Sequence, residues 1–74
     1  MPKLPSLSGK ELIRVLEKSG FQVVRRRKSH VSLQKGTYRN IVPLHHDLAK
    51  GTLLGILKQC GLTKNDLINL IKKA

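Results

Sequence analysis

The sequence predicts an α+β fold in the order helix, three-stranded antiparallel sheet, helix, short C-terminal helix. Three observations predict it. Apolar residues fall at helical spacing over 12–16, the period changes to two from Phe21 to Val42, and helical spacing returns from Leu53 to Ile71. With 74 residues the chain has the length of one small domain, assigned to residues 1–74.

The first helix is placed at residues 9–19. Ser8-Gly9-Lys10-Glu11 has the form of a capping box, in which the Ser8 hydroxyl and the Glu11 carboxylate each accept from the other's amide. Leu12, Ile13, Val15 and Leu16 make its apolar face, Lys10, Arg14, Glu17 and Lys18 its polar one, and Ser19-Gly20 a left-handed stop. In the first strand Phe21, Val23 and Arg25 share one face and Gln22, Val24 and Arg26 the other. The second strand, His30 to Lys35, turns Val31 and Leu33 inward and His30, Ser32 and Gln34 outward. Lys35-Gly36-Thr37 turns the chain into a third strand, Tyr38 to Val42, which Pro43 ends because it lacks a ladder donor. Thr52 is the expected cap of a second helix carrying Leu53, Leu54, Ile56 and Leu57 to Cys60, stopped by Gly61. Thr63 and Asp66 form a second capping box ahead of Leu67, Ile68, Leu70 and Ile71.

Composition narrows the function. Fifteen Lys and Arg against four Asp and Glu give a net charge of +11, with +7 over residues 1–37 and +4 over 38–74. Such an excess concentrates polyanions, so nucleic acid is the first partner to consider and an acidic protein the second. The hydrophobic share of 39% suffices for a packed domain. A chain this short buries only about 60% of its unfolded surface, so any active site is expected to be shallow and open. Phe21 and Tyr38 are the only aromatic residues, which argues against recognition by base stacking on an aromatic platform.

The lone Cys60 forms neither an internal disulfide nor a cysteine-rich zinc site, and it points to a reducing compartment, the cytoplasm. At the end of an apolar helix it reads as a small buried residue rather than a nucleophile. No apolar h-region follows Met1-Pro2-Lys3-Leu4-Pro5 and no apolar run approaches the ~18 residues of a membrane span, so neither secretion nor insertion is expected.

Few residues can carry chemistry. Glu11, Glu17, Asp47 and Asp66 are scattered, leaving no carboxylate pair for acid/base work or Mg²⁺. His45-His46-Asp47 is adjacent in sequence, its side chains point apart and no further ligand stands nearby; no metal site is assigned. His45 is expected to pack or hydrogen-bond at its loop, near His30, and His46 to be exposed. His30 follows the basic run Arg25-Arg26-Arg27-Lys28 directly. A histidine there can act as general base on a ribose 2′-hydroxyl while nearby cations stabilise the charge that builds on phosphorus. It can equally be a surface histidine touching solvent or phosphate. The basic run binds phosphate, or is a solvated strand end that keeps a sheet edge from pairing.

Several segments carry a family resemblance. They are Gly20-Phe21 after the first helix, Ser29-His30 at the head of a strand, Val42-Pro43-Leu44-His45 after the third strand, and Lys50-Gly51-Thr52-Leu53 leading to Ile56-Leu57-Lys58-Gln59-Cys60-Gly61-Leu62. Over nearly its whole length the chain resembles the HicA-type mRNA interferase toxins, or YcfA-like family, of type II toxin-antitoxin systems. The resemblance implies a double-stranded-RNA-binding-domain-like fold. It also implies a metal-independent endoribonuclease, working without cofactor, that cleaves mRNA, inhibits translation and is neutralised by a HicB-type antitoxin covering the active face. The histidine of the family's Gly-Ser-His motif falls on His30, which makes His30 the catalytic candidate. Ser29 is its matching neighbour, and Lys28 stands where the family has glycine.

Arg25, Arg26, Arg27, Lys28, Ser29 and His45 are the RNA-binding candidates, His45 by its match to the family's Pro-x-His segment. The toxin alone is expected to be a monomer. The rival readings are a non-catalytic RNA-binding module and a module that binds an acidic protein.

Overall fold

The computed structural model describes residues 4–72. The outermost residues of the single-domain assignment, 1–3 and 73–74, lie outside the described residues. Its elements are α1 (Gly9–Lys18), β1 (Gln22–Arg27), β2 (His30–Lys35), β3 (Tyr38–Pro43), α2 (Lys50–Gln59) and α3 (Lys64–Lys72). The expected order is observed, and it is consistent with the double-stranded-RNA-binding-domain-like layout.

Both capping boxes form. Ser8 Oγ accepts from the Glu11 amide at 3.1 Å and Glu11 Oε1 from the Ser8 amide at 3.0 Å. Thr63 and Asp66 repeat the exchange at 3.1 and 2.8 Å ahead of α3. Gly20 and Gly61, at φ +106° and +71°, end α1 and α2 in the left-handed region that only glycine adopts without strain. The start of α2 differs from expectation. The helix begins at Lys50, with Ala49 as its N-cap and no side-chain cap, so Thr52 lies inside the first turn. Leu48, buried, donates its amide to the Leu7 carbonyl at 2.8 Å and so aims the chain into the helix before any hydroxyl is needed.

The sheet is an antiparallel meander in the order β1-β2-β3. Val31, Leu33, Asn40 and Val42 are buried, and α1 and α2 pack on this side, with α3 against α1 and α2. The other side is left open, where Ile41 is 55% exposed. Leu12, Leu16, Leu53, Ile56, Leu57 and Leu67 complete the core.

Val31 and Leu33 point inward as expected, which leaves His30 exposed on the outer side. The first strand corrects the expectation. Val23 pairs with Leu33 but Arg25 pairs with Ser32, because the register shifts between Val23 and Arg25 at a β-bulge. One extra residue exchanges the two sides of the strand beyond it. Arg25 therefore lies on the outer side with Ser32 and Ile41, and Arg26 on the helix side with Val31 and Val42.

Candidate functional site

The β1–β2 turn gathers most of the predicted site. Arg27 and His30 pair across it with Lys28 and Ser29 at the tip, all exposed. Two-residue hairpin turns normally take a positive φ, yet only Gly20, Gly36 and Gly61 have one among the described residues. Lys28 therefore sits unstrained where the family motif has glycine. The Leu44 amide donates to the Ser29 carbonyl at 2.7 Å, which ties the turn to the segment after β3.

Ser29 Oγ lies 3.1 Å from His30 Nδ1. With Nδ1 engaged, Nε2 is the nitrogen left to exchange a proton with a substrate. For Nε2 to accept one, Nδ1 must carry the hydrogen and donate it to the Ser29 hydroxyl. A shallow concavity lined by Arg26, Arg27, Lys28, Ser29 and His30 opens at this point.

The basic run is spread over both sides of the sheet. Arg27 flanks His30, and Arg25 lies on the same outer side two pairs along the ladder, in a depression shared with Val24, Ser32, Arg39 and Ile41. Arg26 turns to the helix side. It lines both the His30 concavity and a groove of about 420 Å³ between α1 and the segment after β3. His45 and His46 are both exposed and line that groove. The expected hydrogen bond at the His45 loop is made by its backbone, whose carbonyl accepts from the Gly9 amide at 2.9 Å.

Lys10 and Arg14, also in the groove, are functional candidates that sequence reasoning did not single out. Their signal was their i, i+4 spacing on the polar face of α1. Lys35, at the β2–β3 turn, is engaged elsewhere: its Nζ donates to the Ser19 carbonyl at 2.6 Å and sits 6.0 Å from the centre of the Phe21 ring. Cys60 is buried beside Asn40, as expected of a packing residue. Among the described residues no group of three or more His, Cys, Asp and Glu is arranged to hold a metal ion, and no helix is long and apolar enough to cross a membrane.

The family model for the HicA toxin of bacterial toxin-antitoxin systems matches residues 9–62. The chain belongs to the HicA toxin family. It is thus a toxin of a toxin-antitoxin system. The match runs from the first residue of α1 through α2 to Leu62, so the HicA-matched region includes the turn, His30 and every groove residue except Ser8, and leaves α3 beyond it. No curated protein and no solved structure matches the chain.

Proposed function

We propose that this HicA-family toxin is a metal-independent endoribonuclease that cleaves mRNA and thereby inhibits translation. The observation that carries the reading is the exposed Ser29–His30 pair, 3.1 Å apart, in a concavity lined by Arg26, Arg27 and Lys28. The cations hold a backbone phosphate against the turn. Nε2 of His30 takes the proton of the adjacent ribose 2′-hydroxyl, and the 2′-oxygen attacks phosphorus. The bond to the 5′-oxygen then breaks with its electron pair going to that oxygen, which takes up the proton His30 removed from the 2′-hydroxyl and so returns the imidazole to its starting state. The products are a 2′,3′-cyclic phosphate and a 5′-hydroxyl. Arg26, Arg27 and Lys28 stabilise the extra negative charge on the pentacoordinate phosphorus.

Its partner is a HicB-type antitoxin, which silences the toxin by covering the turn and the basic surface around it. Membership of a toxin family supports such a partner in general, and the charge of +11 favours an acidic one. The test is incubation of antitoxin-free protein with end-labelled mRNA in excess EDTA, beside a folded His30→Ala variant. Wild type is expected to leave fragments ending in cyclic phosphate, and the variant to leave RNA intact while retaining most of its affinity. Equal cleavage by the two proteins would sink the assignment of His30.

A further inference from the structure

We infer that the groove between α1 and the segment after β3 is a second nucleotide subsite, which holds the RNA nucleotide flanking the cleaved phosphodiester. This rests on the endoribonuclease reading above.

Two kinds of surface meet in the groove. Lys10 and Arg14, one turn apart on α1, and Arg26 from β1 supply positive charge, while Ile13 and Leu44 supply apolar surface. A nucleotide has this duality, an anionic phosphate joined to a base with an apolar face. The volume of about 420 Å³ falls within the ~300–1,000 Å³ of pockets that hold small ligands. Glu17 is the one carboxylate lining it.

The groove is built into the backbone. The Gly9 amide donates to the His45 carbonyl at 2.9 Å and the Leu44 amide to the Ser29 carbonyl at 2.7 Å, so the start of α1, the loop and the catalytic turn are joined in series. A Cβ on Gly9 would collide with the Pro43 carbonyl oxygen, which shows how closely α1 is drawn onto the loop.

Arg26 makes the groove continuous with the site of cleavage. It lines both concavities because the bulge in β1 turns it to the helix side. A chain bound by its phosphate at His30 thus meets cations on both sides of Arg26. Strand passage over a concave, partly apolar surface favours RNA over an acidic protein face as the occupant.

The experiment uses a 2′-O-methyl RNA octanucleotide, which lacks the attacking hydroxyl and so reports binding alone. Its affinity is measured by fluorescence anisotropy against salt for wild type, for Lys10→Ala/Arg14→Ala, and for Lys58→Ala/Lys64→Ala, which removes equal charge away from the groove. The α1 pair is expected to weaken binding on the order of tenfold and to flatten the salt slope by roughly 1.4, about 0.7 per lost phosphate contact. The control pair is expected to change affinity by less than about threefold, through long-range charge alone. Equal losses in the two double variants would overturn the subsite.

Amide chemical shifts of the wild type provide a reading without substitution. Shifts at Lys10, Arg14, His45 and His46 on adding the octanucleotide support the groove, and shifts confined to Arg27–His30 overturn it. An oligo-glutamate of equal charge that displaces the RNA equally well would also overturn it. Cleavage of mRNA in EDTA is scored separately. Groove-dependent binding without cleavage sinks the enzyme reading and leaves the groove an RNA site, whereas cleavage with an unchanged KM in the α1 double variant sinks the subsite alone.

Discussion

Cys60 closes α2 inside the core, where the Asn40 amide donates to its sulfur at 3.0 Å. Burial outweighs that hydrogen bond and pushes the thiol up to about 11. At neutral pH the sulfur therefore stays protonated and is a poor nucleophile. Iodoacetamide at pH 7.5 is expected to label Cys60 in urea-unfolded protein far faster than in folded protein, read by intact mass; equal rates would contradict the packing. The folded thiol holds its proton more tightly than the unfolded one, so stability is intact below the ordinary thiol range and falls as pH rises through it toward about 11. At this scale His30 was readable in advance, because the two-residue period of β2 sends Val31 and Leu33 inward and His30 out. The Ser29 contact to its ring was not, since a side-chain hydrogen bond depends on rotamers that spacing does not encode.

At the scale of the element, α1 carries the groove and its capping box decides where it begins. The Glu11 carboxyl is held below the usual carboxylate range, first by the Ser8 backbone amide and then by the Ser8 hydroxyl, with Arg14 assisting. Ser8→Ala is expected to cost about 1 kcal/mol, typical of a lost N-cap, read as a lower urea midpoint at pH 7. A lowered folded pKa contributes stability above the ordinary Glu range that is lost as pH falls through the folded value. The difference between wild type and Ser8→Ala should therefore narrow as pH falls through the folded Glu11 value and the carboxyl gains its proton; a difference that widens on acidification would refute the reciprocal box. Such caps were legible because each lies within four residues of sequence. The start of α2 at Lys50 was not. It is set by Leu48, whose amide is bound to the carbonyl of Leu7 at the far end of the chain.

For the whole molecule, the charge of +11 matters through where the fold spends it. Lys10, Arg14, Arg26, Arg27 and Lys28 come from α1, β1 and the β1–β2 turn, and together they line two concavities joined at Arg26. If these five cations each neutralise one phosphate of single-stranded RNA, the logarithm of affinity should fall against the logarithm of salt with a slope of roughly −3.5. A slope near −1 for the wild type and the 2′-O-methyl octanucleotide would mean that the turn and the groove do not act as one surface. The antitoxin proposed above, to block RNA, would have to cover that same surface. The thin core of a chain this short suits such a surface, since the site needs a shallow, open contact rather than an enclosed cavity.

The sequence by itself determined the order of elements, the inward and outward sides of β2, both capping boxes, the exposure of His30 and the sign of the surface. Each of these is a local matter of period, cap or composition, fixed by residues a few positions apart. Only the tertiary structure decided which side of the sheet Arg25 and Arg26 occupy, where α2 begins and that α1 meets the His45 loop. Those outcomes depend on strand register and on hydrogen bonds between segments distant in the chain, Gly9 with His45 and Ser29 with Leu44. A single bulged residue can exchange the two sides of a strand without changing its composition, which is why the pairing and not the pattern placed Arg26 between the turn and the groove.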